Sequence, residues 1–404
     1  MDKKYIDIFK ETLFTKTTPG SLIADVELLL AETEQAGIPL SKKSKHITMG
    51  QLIRINESLT TPLIIKQSRP TQKSFPNING LYILLRNSGL VKVRPEGKKL
   101  FLVTHEPAIA IWKSLNAEEK YASLFKLFFF DIQNRDRLFS RKSSPPLYLL
   151  FSLFETLSSS PLKVRNNKAI ESKCTYLGTY FLTLMDMFGL ITIAQAETDT
   201  VEKWFPKSVA KTPLGEAFVS LLQNSLHVVM PTYVDTTYLD TELIKLLSPL
   251  MPEVKSLLPG IEDSWGIFRD GLYTFLVTLQ KASCRITIPA AASFSTFAQA
   301  ILDAFHFAND HLHMFKFENA FGVEVEIFHE ESHDGYSSTE TTIGELSLNE
   351  GDTLEFIFDF GDWWEFGVVL ERIDKPDGRI KQPKITACKG TPPEQYDYDD
   401  EEWL

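Results

Sequence analysis

A chain of 404 residues with 43% hydrophobic and 24% charged residues has apolar material for several cores and is longer than one core normally supports, so two or three domains are expected and a disordered chain is excluded. The three cysteines, Cys174, Cys284 and Cys388, lie far apart and form no CxxC pair, which predicts neither a disulfide framework nor a structural zinc site and fits a reducing compartment. The net charge of -11 conceals an asymmetry: residues 283–404 hold 8 Lys+Arg against 25 Asp+Glu, a net of -17, which leaves 34 against 28, a net of +6, for residues 1–282.

The N-terminal stretch MDKKYIDIFKETLF is too charged for a signal peptide, and the apolar runs LFKLFFF and PLYLLFSLF fall short of the roughly 20 residues that a membrane span needs. A cytoplasmic protein without a membrane partner is the expectation. Leu22, Val26, Leu29 and Leu30 recur at helical spacing and the helix stops at Gly37. Pro62, Pro70 and Pro76 then interrupt regular structure.

The next segment, NGLYILLRNSGLVKVRPEGKKLFLVTHEPAIAIWKSL, is more informative. A helix with Leu81, Leu84 and Leu85 ends at Gly89, a C-cap. The strand LVKV, a turn at Pro95-Glu96-Gly97 and the strand KLFLV follow, and Thr104 with Pro107 starts another helix. Helix, strand, turn, strand, helix is the order of a winged helix. The same grammar returns in TYFLTLMDMFGLITI and KSVAKTPLGEAFVSLL, where Gly189-Leu190-Ile191 matches Gly89-Leu90-Val91 and Thr212 matches Thr104.

A winged helix on duplex DNA lays one helix in the major groove and touches phosphates with its wing. Arg86, Lys92, Arg94, Lys98 and Lys99 surround the helix and wing of the first copy and are the nucleic-acid-binding candidates. The matching helix of the second copy, YFLTLMDMF, is mostly apolar and reads as buried. The 29 Phe residues fall mainly among other apolar residues, as core filling does. Residues 226–282, including WGIFRDGLYTFLVTLQKAS, read as connecting helices.

From 283 onward, Arg285 to Ile288 alternate as a strand. Ser295 precedes a helix with Phe297, Ile301, Leu302 and Phe305, and HLHMFKF, TLEFIFDF and EFGVVLERI are further strands. The expected fold is α+β: a helical region with winged-helix-like units over 1–115 and 116–282, then a small domain over 283–404 with a mainly antiparallel sheet, one main helix and an acidic tail.

FAQAILDAFHFANDHLHMF, FIFDFGDWWEFGVVLE and CKGTPPEQ, in that order, resemble the plasmid pRiA4b ORF-3-like family. The resemblance implies the fold of this small domain and a setting among proteins of mobile elements, including the passenger protein of an IS1096-type transposon. It implies no established activity. The chain departs from the family pattern at Phe366, where a His is common, and at Gln395 with the acidic run after it.

His306, His311, His313, His329 and His333, with Asp359 and Asp362, raise a metal site, since His311 and His313 would share one strand face. No HExxH or second ligand cluster accompanies them, so no metal and no cofactor is expected. Asp359-Phe360-Gly361-Asp362 reads as a hairpin turn in which Gly361 supplies the unusual backbone angles and the aspartates bond local amides. Asp359, Asp362, Trp363 and Trp364 are the partner-binding candidates, with one tryptophan expected in the core. Glycine-rich phosphate loops and a GxSxG elbow are absent. These features predict a non-enzymatic accessory or regulatory protein of mobile-element type, its basic part touching DNA and its acidic domain binding a protein. The alternatives are a protein-interaction module without nucleic-acid binding and a metal-dependent enzyme using the C-terminal His and Asp residues.

Overall fold

The computed structural model describes residues 2–42, 44–97, 99–131, 147–195, 204–229, 236–259, 268–319, 321, 324–332, 336–346 and 348–396. The chain divides into two compact units, Met1–Glu262 and Asp263–Leu404. The sequence placed the boundary at 282/283. The charge asymmetry is unaffected by the shift, because residues 263–282 carry two basic and two acidic side chains, Arg269 and Lys281 against Asp263 and Asp270. Among the described residues no helix is long and apolar enough to cross a membrane.

Unit 1 begins with α1 (Lys3–Glu11). A first set of elements follows: α2 (Leu22–Gln35), β1 (Ile38–Leu40), α3 (Met49–Ser58), α4 (Pro76–Asn87), β2 (Val91–Glu96) and β3 (Lys99–Thr104). Helices α5 (Glu106–Ser114) and α6 (Ala117–Lys126) lead to a second set with the same order: α7 (Leu147–Thr156), β4 (Leu162–Lys163), α8 (Lys168–Leu177), α9 (Thr179–Met187), β5 (Ile191–Gln195) and β6 (Pro206–Lys211). Helices α10 (Pro213–Val229) and α11 (Thr236–Leu247) close the unit. Each set forms a three-stranded sheet, ordered β1-β3-β2 and β4-β6-β5, with the last strand of the set in the middle.

The glycine helix ends read from the sequence hold in both sets, whereas the threonine N-cap holds only in the second. Gly89 and Gly189 end α4 and α9 at φ of 69° and 74°, the left-handed region that a Cβ disfavours. Thr212 accepts from the Gly215 amide at 3.0 Å and donates to the Gly189 carbonyl at 2.7 Å, so it caps α10 and ties the sheet to the preceding helix. In the first set the cap lies one residue later, at His105, because Thr104 is still paired with Val91.

One continuous core spans both sets, so the expected division at 115/116 has no separate core on either side. Phe125, Phe128, Phe129, Phe181, Phe188 and Phe218 are each buried to 3% exposure or less and stack on one another, as the core-filling reading required. At the centre of this core α4 packs against α9. Gly80 permits the approach: a Cβ built there would lie 2.7 Å from Leu184 Cγ.

Among its described residues, unit 2 holds one eight-stranded sheet and one α-helix. The strands are β7 (Leu272–Leu279), β8 (Ala282–Pro289), β9 (His313–Glu318), β10 (Glu324–Phe328), β11 (Tyr336–Ser337), β12 (Thr353–Phe358), β13 (Trp364–Asp374) and β14 (Lys384–Lys389), and α12 (Phe294–Phe305) follows β8. The spatial order is β11-β10-β9-β12-β13-β7-β8-β14, antiparallel except for β10 with β11. Phe294, Phe297, Ile301 and Phe305 form the buried side of α12, and Phe275, Phe315, Phe356 and Phe366 join them in the core. This is the mainly antiparallel sheet with one main helix that the sequence predicted.

Two expectations are corrected here. The segment LYTFLVTL, read as part of a connecting helix, is β7, paired with β13 and β8 in the interior of the sheet. Its first four residues are all buried, so the two-residue alternation that betrays a half-exposed strand is missing. Cys284 and Cys388, 104 residues apart in sequence, face each other across β8 and β14 and are joined as a disulfide.

Candidate functional site

The segment expected as the first wing folds as the β2–β3 hairpin, with Val91 opposite Thr104 and Glu96 opposite Lys99. The ladder therefore runs through Pro95 and Glu96, which had been assigned to the turn, and the chain reverses after Gly97, whose φ is 58°. Lys92 is half-buried, and Arg94 and Lys99 are exposed. Arg94 lies 3.5 Å from Glu96 in a solvent-facing ion pair. Lys98 lies outside the described residues.

Arg86 is not available to a phosphate. It is 4% exposed, donates to Tyr82 Oη at 3.1 Å and stacks on the Tyr82 ring, while Tyr82 donates to the Lys45 carbonyl. Its guanidinium thus closes a local network beneath α4. The helix it belongs to is equally enclosed: Ile78, Leu81, Leu84 and Leu85 are fully buried, as are Leu182 and Met185 of α9. The two helices that correspond to groove readers face each other.

The second sheet supports the first set as well. Gln195, at the end of β5, accepts from the Ile64 amide at 3.1 Å and donates to the Pro62 carbonyl at 2.9 Å. Asp186 of α9 accepts from the Ile193 amide at 2.9 Å, and burial pushes its carboxyl up to about 6. Some of the positive charge of unit 1 is engaged within the unit: Arg54 with Glu32, Lys113 with Glu34, Lys16 and Lys120 with Glu27, and Lys126 with Asp240.

In unit 2 the turn between β12 and β13 brings Asp359, Phe360, Asp362 and Trp363 together. Asp359 organises it: its Oδ1 accepts from the Gly361 amide at 2.8 Å and its carbonyl from the Trp363 amide at 2.7 Å. That carboxylate is 9% exposed and lies 3.5 Å from His311 Nε2, so it is committed to the turn and is withdrawn from the partner-binding set. Trp364 is withdrawn too, its ring packed edge-on against Phe307 at 5.1 Å.

Trp363 points the other way, 49% exposed, with the 37% exposed Phe360 ring 6.1 Å from it. Asp362 is exposed beside them. The sequence had assigned the unusual backbone angles to Gly361, but Asp359 and Trp363 carry them, at φ of 55° and 56°. An aspartate tolerates this region through its local hydrogen bonds, whereas a tryptophan there costs on the order of 1–2 kcal/mol. Phe360 was not singled out from sequence, although its place in the DFGDWW run was a usable signal.

Among the described residues the C-terminal histidines form no single cluster, and His329 is the only one of them that His313 meets. His306 caps α12 at φ 64°, His311 stands beside Asp359, and His333 lies outside the described residues. His313 is 1% exposed, with its ring 4.8 Å from that of His329 and against Phe315 and Phe356. Among the described residues neither His313 ring nitrogen has a hydrogen-bond partner, and desolvation with the His329 charge second pushes its imidazole down to about 3. Among the described residues no group of three His, Cys, Asp or Glu could hold a metal ion.

Residues 273–398 match the model of the family described as plasmid pRiA4b ORF-3-like protein, which supports for unit 2 the resemblance carried by its sequence motifs. No curated protein matches the chain. Among solved structures, a protein of unknown function, MM3350, from Methanosarcina mazei Go1 is 23% identical over 30% of this chain and 71% of its own, with a TM-score of 0.28.

Proposed function

We propose that this chain is a non-enzymatic accessory protein that works by binding a protein partner, with the Phe360–Trp363 turn of unit 2 as its anchor. In this reading the two repeated sets of unit 1 are winged helices used as a scaffold, their third helices spent on each other. The observation that carries the reading is the exposed Trp363, held at positive φ by the hydrogen bonds of Asp359. A large aromatic kept in a costly conformation and in solvent has no folding rationale, and tryptophan is the residue most enriched where interfaces concentrate their binding energy. The plasmid-protein family matched by unit 2 supports a place among mobile-element proteins. The enzymatic reading has less support, because Asp359 serves its own turn and His313 is buried out of solvent.

A second reading, contact with duplex DNA through the first wing, is favoured by the exposure of Arg94 and Lys99 beside Lys92. The two readings separate with the variant Trp363→Gly. Glycine relieves the positive φ, so folding stability should stay within about 1 kcal/mol of the parent. Proteins retained by the tagged chain in extracts of its own host and identified by mass should drop out with Trp363→Gly and persist with Arg94→Ala/Lys99→Ala. Identical retention by Trp363→Gly and the parent would remove the turn from the function.

A further inference from the structure

The last described strand, β14, is held unusually. It is an edge strand paired only with β8, and the pairing is interrupted between Ile385 and Ala387. All six of its residues are exposed, so no side chain anchors it in the core. Other contacts retain it, among them the hydrogen bond that Thr386 Oγ1 donates to the Arg285 carbonyl at 3.3 Å. Cys388 is bonded to Cys284 of β8. Gly390, at φ 77°, lies so close to the Lys281 carbonyl that a Cβ would stand 2.6 Å from its oxygen. Beyond it, Gln395 accepts from the Ala308 amide and donates to Asp310 at 3.0 Å, and Tyr396 donates to the same carboxylate.

The two sulfurs differ in surroundings. Cys284 is 4% exposed, and its Sγ lies 3.4 Å from the Ala304 carbonyl oxygen, an acceptor for a thiol proton. Cys388 is exposed, and both cysteines border a cavity of about 190 Å³ that is also lined by Asp303, His306 and Lys389. A thiolate can approach Cys388 Sγ from solvent through that opening, and the buried sulfur has a hydrogen-bonding partner for its reduced form.

We propose that Cys284–Cys388 is a thiol–disulfide exchange site for low-molecular-weight thiols, and that its reduction unlatches residues 384–396 from β8. A thiolate attacks Cys388 Sγ and forms a mixed disulfide. The Cys284–Cys388 bond breaks with its electron pair on Cys284 Sγ, which takes a proton from water and donates it to the Ala304 carbonyl. A second thiolate then attacks the small molecule's sulfur in the mixed disulfide, and Cys388 leaves as a thiolate that is protonated. Two thiols are oxidised to one disulfide, and the protein disulfide gains two electrons and two protons. With the bond gone, β14 depends on its interrupted ladder, the Thr386–Arg285 hydrogen bond and the Gln395–Tyr396 contacts, and as it frays the backbone edge of β8 over Ser283–Thr287 becomes an open template for another strand.

Reduced and oxidised glutathione, mixed in varied ratio with the full chain, test this. Alkylation and mass measurement of the three cysteines should show one reactive thiol after unfolding at the oxidised end and three at the reduced end. Amide exchange over 384–396 should quicken at least tenfold on reduction. Cys388→Ser should exchange at the fast rate in both conditions, and Cys284→Ser should take up one glutathione at Cys388. A pair that stays open, or stays closed, at every ratio would overturn the proposal, as would exchange over 384–396 that is indifferent to the state of the pair.

Discussion

Gly80→Leu is expected to lower the stability of the chain by about 3 kcal/mol, at the upper end of what overpacking usually costs. Gly80→Ala is expected to lower it by about 1 kcal/mol. Alanine in place of a mid-helix glycine on an open face stabilises by roughly 0.5–1 kcal/mol, because glycine loses more backbone freedom on folding. At position 80 the added methyl would stand 2.7, 3.1 and 3.2 Å from the Cγ, Cδ1 and Cδ2 of Leu184, so α4 and α9 must separate or Leu184 must leave its rotamer. Leu184→Ala, costly alone, should recover part of the loss in the Gly80→Leu background, a coupling that denaturant unfolding of the double-mutant cycle would measure. A stabilising Gly80→Ala would mean that α4 does not lie against α9.

Acid should weaken unit 2 through His313. The imidazole has an ordinary value of 6.5, is held down to about 3 in the folded chain, and recovers its ordinary value when the chain unfolds. Above pH 6.5 both states are neutral and His313 adds no pH dependence. As pH falls below 6.5 the unfolded chain takes up a proton that the folded one refuses, and stability is lost down to about pH 3. By about pH 4 the loss amounts to about 3 kcal/mol. Other carboxylates titrate in the same window, so the informative quantity is the difference between the parent and His313→Leu. The variant removes two buried nitrogens without partners and should equal or exceed the parent near pH 7, with its advantage growing by about 3 kcal/mol toward pH 4. A difference that is flat across pH would mean that His313 is solvated or paired in the folded state.

What could be read from the sequence was local. Gly89-Leu90-Val91 and Gly189-Leu190-Ile191 announced two equivalent helix-to-strand junctions, and both are where the spacing put them. The apolar run YFLTLMDMF announced burial, but hydrophobicity states that a face is covered and not what covers it, so the pairing of α4 with α9 was invisible. Arg86 was misjudged because its residue type suggested solvent, whereas Tyr82 four residues earlier gives its guanidinium a buried partner. The Cys284–Cys388 pair joins residues 104 apart whose adjacency depends on the whole sheet order. In the candidate turn the composition DFGDWW identified the reversal, but which tryptophan faced solvent followed from Phe307, whose ring occupies the inner side against Trp364.

With α4 and α9 packed on each other, any contact with duplex DNA is expected to be confined to the β2–β3 hairpin. Titration of the full chain with duplex DNA between about 50 and 200 mM salt tests this most directly. With Lys92, Arg94, Lys98 and Lys99 as the cations of residues 91–104, log K should fall with log salt no more steeply than a slope of about -4, without preference between sequences. A tight complex with a much steeper slope and a clear sequence preference would contradict it, because groove readout would require one of the two buried helices to come free.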